Sequence, residues 1–153
     1  MQKTAEKTWQ IPNRMEALAD VAKEVFAWLA DLPLSSRAKY STGLAIEEMV
    51  TNSIKYAYDD DADHLIRIQI LVDHAHVKLV FEDDGHAFDP TQRPSPDIET
   101  IVESQQAGGL GIELVRRMCD KMVYERQGDR NRITLHIRRL EPDDTQFISL
   151  SML

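Results

Sequence analysis

The sequence predicts an α+β fold, a two-layer α/β sandwich with helices on one face of a mixed, mainly antiparallel sheet. Three observations predict it. Two segments near the N-terminus repeat apolar residues at helical spacing. Two pairs of alternating segments are each joined by a short turn, the pattern of β-hairpins. A third helical pattern stands between the pairs, after a stretch rich in Gly, Pro and Ser. Hairpins form a sheet with one apolar face, and helices arriving before and between them suit that face.

Thr8 to Ile11 reads as a short strand stopped by Pro12, and Asn13 as an N-cap with Glu16 three residues on. Leu18, Val21, Ala22, Val25, Phe26 and Leu29 then recur at helical spacing, with Asp20, Lys23, Glu24 and Asp31 turned elsewhere, until Leu32-Pro33. Ser35 or Ser36 caps a second helix running to about Tyr58, followed by a solvated turn carrying Asp59, Asp60, Asp61 and Asp63. Leu65 to Val72 and His76 to Asp83 alternate as strands around a turn at Asp73 to Ala75. From Asp84 to Gly108 the pattern dissolves, over a length that suggests a functional loop. A helix from about Leu110 to Met118 precedes strands near Lys121 to Arg126 and Arg132 to Arg138, around the turn Gln127-Gly128-Asp129. The tail, residues 141–153, carries Phe147, Ile148, Leu150 and Leu153, which suit packing on the body or on a second subunit.

With 153 residues, 42% of them hydrophobic and 29% charged, the chain reads as a single domain with its core at about residues 9–138. A net charge of −8 argues against direct nucleic-acid binding, which relies on Lys and Arg displacing counterions. No apolar run has the length of a signal peptide or membrane span, and the lone Cys119 forms no internal disulfide, so a reducing, cytoplasmic location is expected. His74 and His76 flank a turn residue without a third metal ligand nearby, and Trp9, Trp28 and Tyr40 suit core or interface anchoring.

Three local patterns carry the chemistry. On the second helix Ala45, Ile46, Met49, Val50, Ile54, Tyr56 and Ala57 make an apolar arc, with Glu47, Thr51 and Lys55 opposite. Glu48 and Asn52 lie one turn apart at its border, either a solvated pair or a carboxylate and amide facing a half-buried ligand. Alternation then puts Asp83 on the apolar face of its strand, where it needs a donor, and Gly85 permits close backbone approach. An adenine amino group would be such a donor; the turn's own amides are the alternative. Last, Gly108-Gly109-Leu110-Gly111 stands ahead of Ile112 to Met118, either as a hinge or as a phosphate cradle at a helix entrance. No Lys-Ser/Thr follows these glycines, so they are no P-loop.

Together these patterns resemble the GHKL superfamily of ATP-binding domains. Glu48-Met49-Val50-Thr51-Asn52 matches its N-box, Asp83 to Pro90 its first glycine box, and Gly108 to Ile112 its second. Among its families the chain is most similar to the bacterial anti-sigma factor serine/threonine kinases, with Phe88-Asp89-Pro90 where the broader pattern has a second glycine. The resemblance implies ATP and Mg2+ as cofactors, Asn52 as magnesium ligand, Glu48 as general base and Asp83 as reader of adenine. It implies that Gly85, Gly108, Gly109, Leu110 and Gly111 shape the nucleotide pocket and that the loop from Asp84 to Gly108 closes over phosphate. The implied partners are a sigma factor and the anti-sigma factor antagonist that receives phosphate, with the chain acting as a homodimer. A sequestration module that binds nucleotide and regulator without kinase activity is the alternative. A histidine-kinase domain is disfavoured because no helix with a phospho-accepting His precedes Glu48.

Overall fold

The computed structural model describes residues 4–92 and 107–140, and of residues 92 and 107–110 the backbone only. In chain order they form β1 (Ala5–Pro12), α1 (Met15–Ala30), α2 (Ser36–Tyr56), β2 (Leu65–Val72), β3 (His76–Asp83), a 3-10 turn (Pro90–Gln92), α3 (Ala107–Met118), β4 (Lys121–Gln127) and β5 (Arg130–Arg138). The sheet order is β1-β2-β3-β5-β4, and each of these neighbouring pairs is antiparallel. The expected two-layer architecture is therefore present.

Alternation along the strands decides which face the helices cover. Ile66, Ile68 and Ile70 of β2, Val77 and Leu79 of β3, and Leu135 of β5 are buried on the inner face. Leu18, Val21, Val25 and Leu29 of α1, Ile46 and Val50 of α2, and Ile112 and Val115 of α3 join them in one cluster. The outer face carries polar residues, among them Arg67 and Glu82 paired at 3.0 Å.

Several boundaries differ from the sequence expectation, each for a tertiary reason. The residue before α1 is Arg14, and no side chain caps the helix. Asn13 instead continues the β1–β2 pairing, donating its N–H to the His64 carbonyl at 3.0 Å and accepting the His64 N–H on Oδ1 at 3.1 Å. Ser35 does cap α2, accepting the Ala38 N–H at 3.0 Å. Phe26 and Tyr56 fall outside the core, 52% and 59% exposed, because each stands at the rim of its helix's apolar arc. Helix α2 ends at Tyr56, and the Ala57 carbonyl beyond it accepts the His86 N–H at 2.9 Å. The β4–β5 ladder runs to the turn at Gly128, where φ is +61°, so β5 begins at Arg130 and pairs Asn131 with Asp83.

Helix α3 begins at Ala107, so Gly108, Gly109, Leu110 and Gly111 occupy its first turns instead of preceding it. Core packing of Ile112 and Val115 holds the helix there despite the low helix propensity of glycine. Residues 93–106 and the tail 141–153 lie outside the described residues, and with them the expected closing loop and the apolar tail positions.

Candidate nucleotide site

Between α2, α3 and the paired ends of β3 and β5 lies a cleft that opens to solvent. Met49, Ile112 and Ile133 give it apolar walls, while Asn52, Ser53, Asp83 and Asn131 supply polar atoms. Phe88 and Pro90 flank the opening from the segment after β3.

Asp83 is buried at the floor. Its Oδ1 accepts the Gly85 N–H at 3.0 Å and the Asn131 amide at 2.8 Å, and its Oδ2 accepts the Ser53 hydroxyl at 3.0 Å. A carboxylate has about four acceptor positions, so these donors hold its plane and leave one position free on Oδ2. The donor required by the sequence pattern is thus supplied in part by the turn and in part by two other elements.

Asn131, Ser53, Tyr124 and Arg126 were invisible to motif reasoning. The Asn131 amide also donates to the His86 carbonyl at 2.8 Å, and its Oδ1 accepts from the Tyr124 hydroxyl and, at 3.1 Å, from Arg126. Arg126 reaches the Gly85 carbonyl at 2.7 Å as well. This network joins β3, the turn after it, β4 and β5. Asn131→Ala removes a donor from Asp83 and from the His86 carbonyl and the acceptor of Tyr124 at once, and is expected to cost about 2–3 kcal/mol. Urea unfolding measures it; a loss under about 0.5 kcal/mol would mean the network is not organising the floor.

Gly85 approaches protein backbone, not an open pocket: a Cβ there would lie 2.4 Å from the Ala57 carbonyl oxygen. Its role is to let the turn after β3 abut the end of α2. Beside this turn, His64 is held between Asp60 at 2.8 Å and Asp84 at 3.0 Å and stacks on Tyr58. The Asp60 bond foremost, and then Asp84, raises the His64 pKa. Burial, reinforced by Asp83 and Asp84, pushes the Tyr58 phenol well above its ordinary range.

Glu48 and Asn52 share one side of α2. The Asn52 amide nitrogen donates to the Glu48 carbonyl at 2.7 Å, which orients the amide so that its oxygen is the atom left for a ligand. Glu48 is half-buried, whereas Glu47 is exposed. Burial first, and then the neighbouring Glu47 charge, raises the Glu48 pKa. Gly111 lies directly against the Glu48 carboxylate. Asn52 and Asp83 thus line one cleft, whereas Glu48 stands outside it, against Gly111 and on a separate groove between α1 and α2. Side-chain surroundings at Gly108, Gly109 and Leu110 lie outside the described residues.

An antiparallel sheet under three helices, with a polar-floored cleft beside the second helix, defines a two-layer α+β domain with a candidate ligand site. The histidine kinase-like ATPase domain model matches residues 11–137, and the chain belongs to that family. It is 27% identical over 125 residues to the serine/threonine-protein kinase BtrW of Bordetella bronchiseptica, covering 79% of this chain and 88% of that protein. It is 29% identical over 119 residues to the serine-protein kinase RsbW of Listeria monocytogenes, covering 68% and 76%, respectively. The anti-sigma F factor of Clostridium novyi is 26% identical over 113 residues, covering 74% and 78%. Among solved structures, the RsbU and RsbW domains of a Mycobacterium tuberculosis protein share the fold, with a TM-score of 0.59 at 15% identity over 88% of this chain and 32% of that longer one.

Among the described residues no helix is long and apolar enough to cross a membrane, and no cluster of three or more His, Cys, Asp or Glu is placed to hold a metal ion. Cys119 is half-buried, and burial raises its thiol pKa, which disfavours the reactive thiolate.

Proposed function

We propose that this chain is an anti-sigma regulatory factor that uses Mg-ATP to phosphorylate a Ser or Thr hydroxyl of a protein antagonist, and that it also binds a sigma factor. The observation that carries the reading is the pairing of a half-buried, pKa-raised carboxylate, Glu48, with the freed amide oxygen of Asn52 one turn away. The names of the relatives, serine-protein kinase and anti-sigma F factor, support the substrate class and partners.

In this reading Asp83 accepts from the adenine amino group through its remaining lone pair, with Ser53 and Asn131 holding it in place. Met49, Ile112 and Ile133 enclose the base. Magnesium is typically held by one or two protein oxygens together with phosphates and water, and Asn52 Oδ1 fits that role without a preformed metal cage. When bound, magnesium neutralises charge on the phosphates. The antagonist hydroxyl oxygen bonds to the γ-phosphorus as the bond to the β,γ-bridging oxygen breaks, ADP departs, and Glu48 takes the hydroxyl proton.

Millimolar Mg-ATP should raise the melting temperature, because a ligand selective for the folded state stabilises it by mass action. Asn52→Ala should remove the magnesium-dependent part of that rise and keep the smaller shift given by metal-free nucleotide. An unchanged melting curve for the wild type with Mg-ATP would overturn the reading.

A further inference from the structure

Gly111 stands closest to Glu48 among the described residues. A Cβ built on it would lie 1.8 Å from Glu48 Oε2, 2.4 Å from Cδ and 3.1 Å from Oε1, so its three closest atoms are the whole Glu48 carboxylate. No other side chain than hydrogen leaves room for this carboxylate beside α3. Among the described residues, Met15, Leu18, Ala19 and Ala22 of α1 border the open groove that Glu48 shares with Glu47 and Thr51. Glu47 and Lys55 of α2 are the charges that act on it.

We propose that Gly111 is a positioning residue for phosphoryl transfer: its missing side chain seats the Glu48 carboxylate against α3, between the nucleotide cleft and the α1–α2 groove. This rests on Glu48 being the base, and it gives the last glycine of the motif a role apart from contact with phosphate. Any side chain at Gly111 drives the carboxylate outward, because a glutamate tip moves at less cost than two packed helices.

The test is Gly111→Ala, with its effect on the melting temperature compared between the wild-type and Glu48→Ala backgrounds, beside ATP affinity and phosphate transfer to the cognate antagonist. The expected result in the wild-type background is a lowered melting temperature, ATP affinity within about twofold of wild type, and transfer slowed about 10²-fold by misplacement of the base. In the Glu48→Ala background the added methyl meets no carboxylate, and Gly111→Ala should raise the melting temperature, as Gly→Ala does in helices. The same melting effect in both backgrounds would overturn the proposal. ATP affinity falling in step with transfer would overturn it too, since the glycine would then serve the nucleotide. Opposite melting effects in the two backgrounds, in a protein whose wild type transfers no phosphate, would leave the seat standing and sink the kinase reading alone.

Discussion

Glu48→Gln is expected to keep ATP affinity within a few-fold and to lower phosphate transfer to the antagonist by about 10²–10⁴-fold, the range of general-base contributions. The substitution preserves length and shape beside Gly111 and removes the charge and with it the ability to take a proton. Wild-type transfer should decline as pH falls through the Glu48 pKa, which burial and Glu47 hold above the ordinary glutamate value. That acid limb should vanish with Glu48→Gln. The linkage has the matching sign: a carboxyl raised in the folded state favours folding below its unfolded pKa and loses that contribution as pH rises through the folded one. Glu48→Gln should therefore leave stability at neutral pH unchanged or slightly higher. The measurement is labelled phosphate transfer across pH with a parallel ATP titration. Wild-type transfer by the variant would remove Glu48 as the base, and sequestration without kinase activity becomes the account if the wild type also transfers nothing.

Gly85→Ala is expected to cost about 3 kcal/mol, at the upper end of overpacking penalties, and to lower the melting temperature by roughly 6–12 °C at about 2–4 °C per kcal/mol. Its Cβ would lie 2.4 Å from the Ala57 carbonyl oxygen and 2.6 Å from the Ala57 Cβ. Those neighbours are backbone and a stub with no rotamer to yield. Relief requires parting the turn after β3 from the end of α2, which breaks the His86 N–H bond to Ala57 and disturbs Asn131's bond to the His86 carbonyl. ATP affinity should fall with stability, because the same turn donates to Asp83. Differential scanning calorimetry with and without Mg-ATP reads both; a melting point within 1 °C of wild type would mean that the turn and helix end are loosely packed.

Much of this was legible in the chain itself because its signals are local. Period-two alternation placed β2 and β3 at their observed ends, since a one-residue slip would turn Ile66, Ile68 and Ile70 to solvent. Helical spacing located α1 and α2, and the polar pair Glu48 and Asn52 stood out against the apolar arc of α2. Asn13 misled because capping residues also bond across strands, and only the β1–β2 register shows which bond it makes.

The sequence by itself determined the layer architecture, the three motifs and their order, since hydrophobic period and residue type are properties of neighbours along the chain. Tertiary structure alone decided what those motifs touch. Asn131 looks like a turn residue until the β3–β5 register sets it opposite Asp83, 48 residues away. Gly85 and Gly111 look alike as glycines of nucleotide motifs, yet one makes room for the Ala57 backbone and the other for the Glu48 carboxylate. Space left empty by a glycine is defined by what packs into it, and packing across helices and strands has no local trace in the chain.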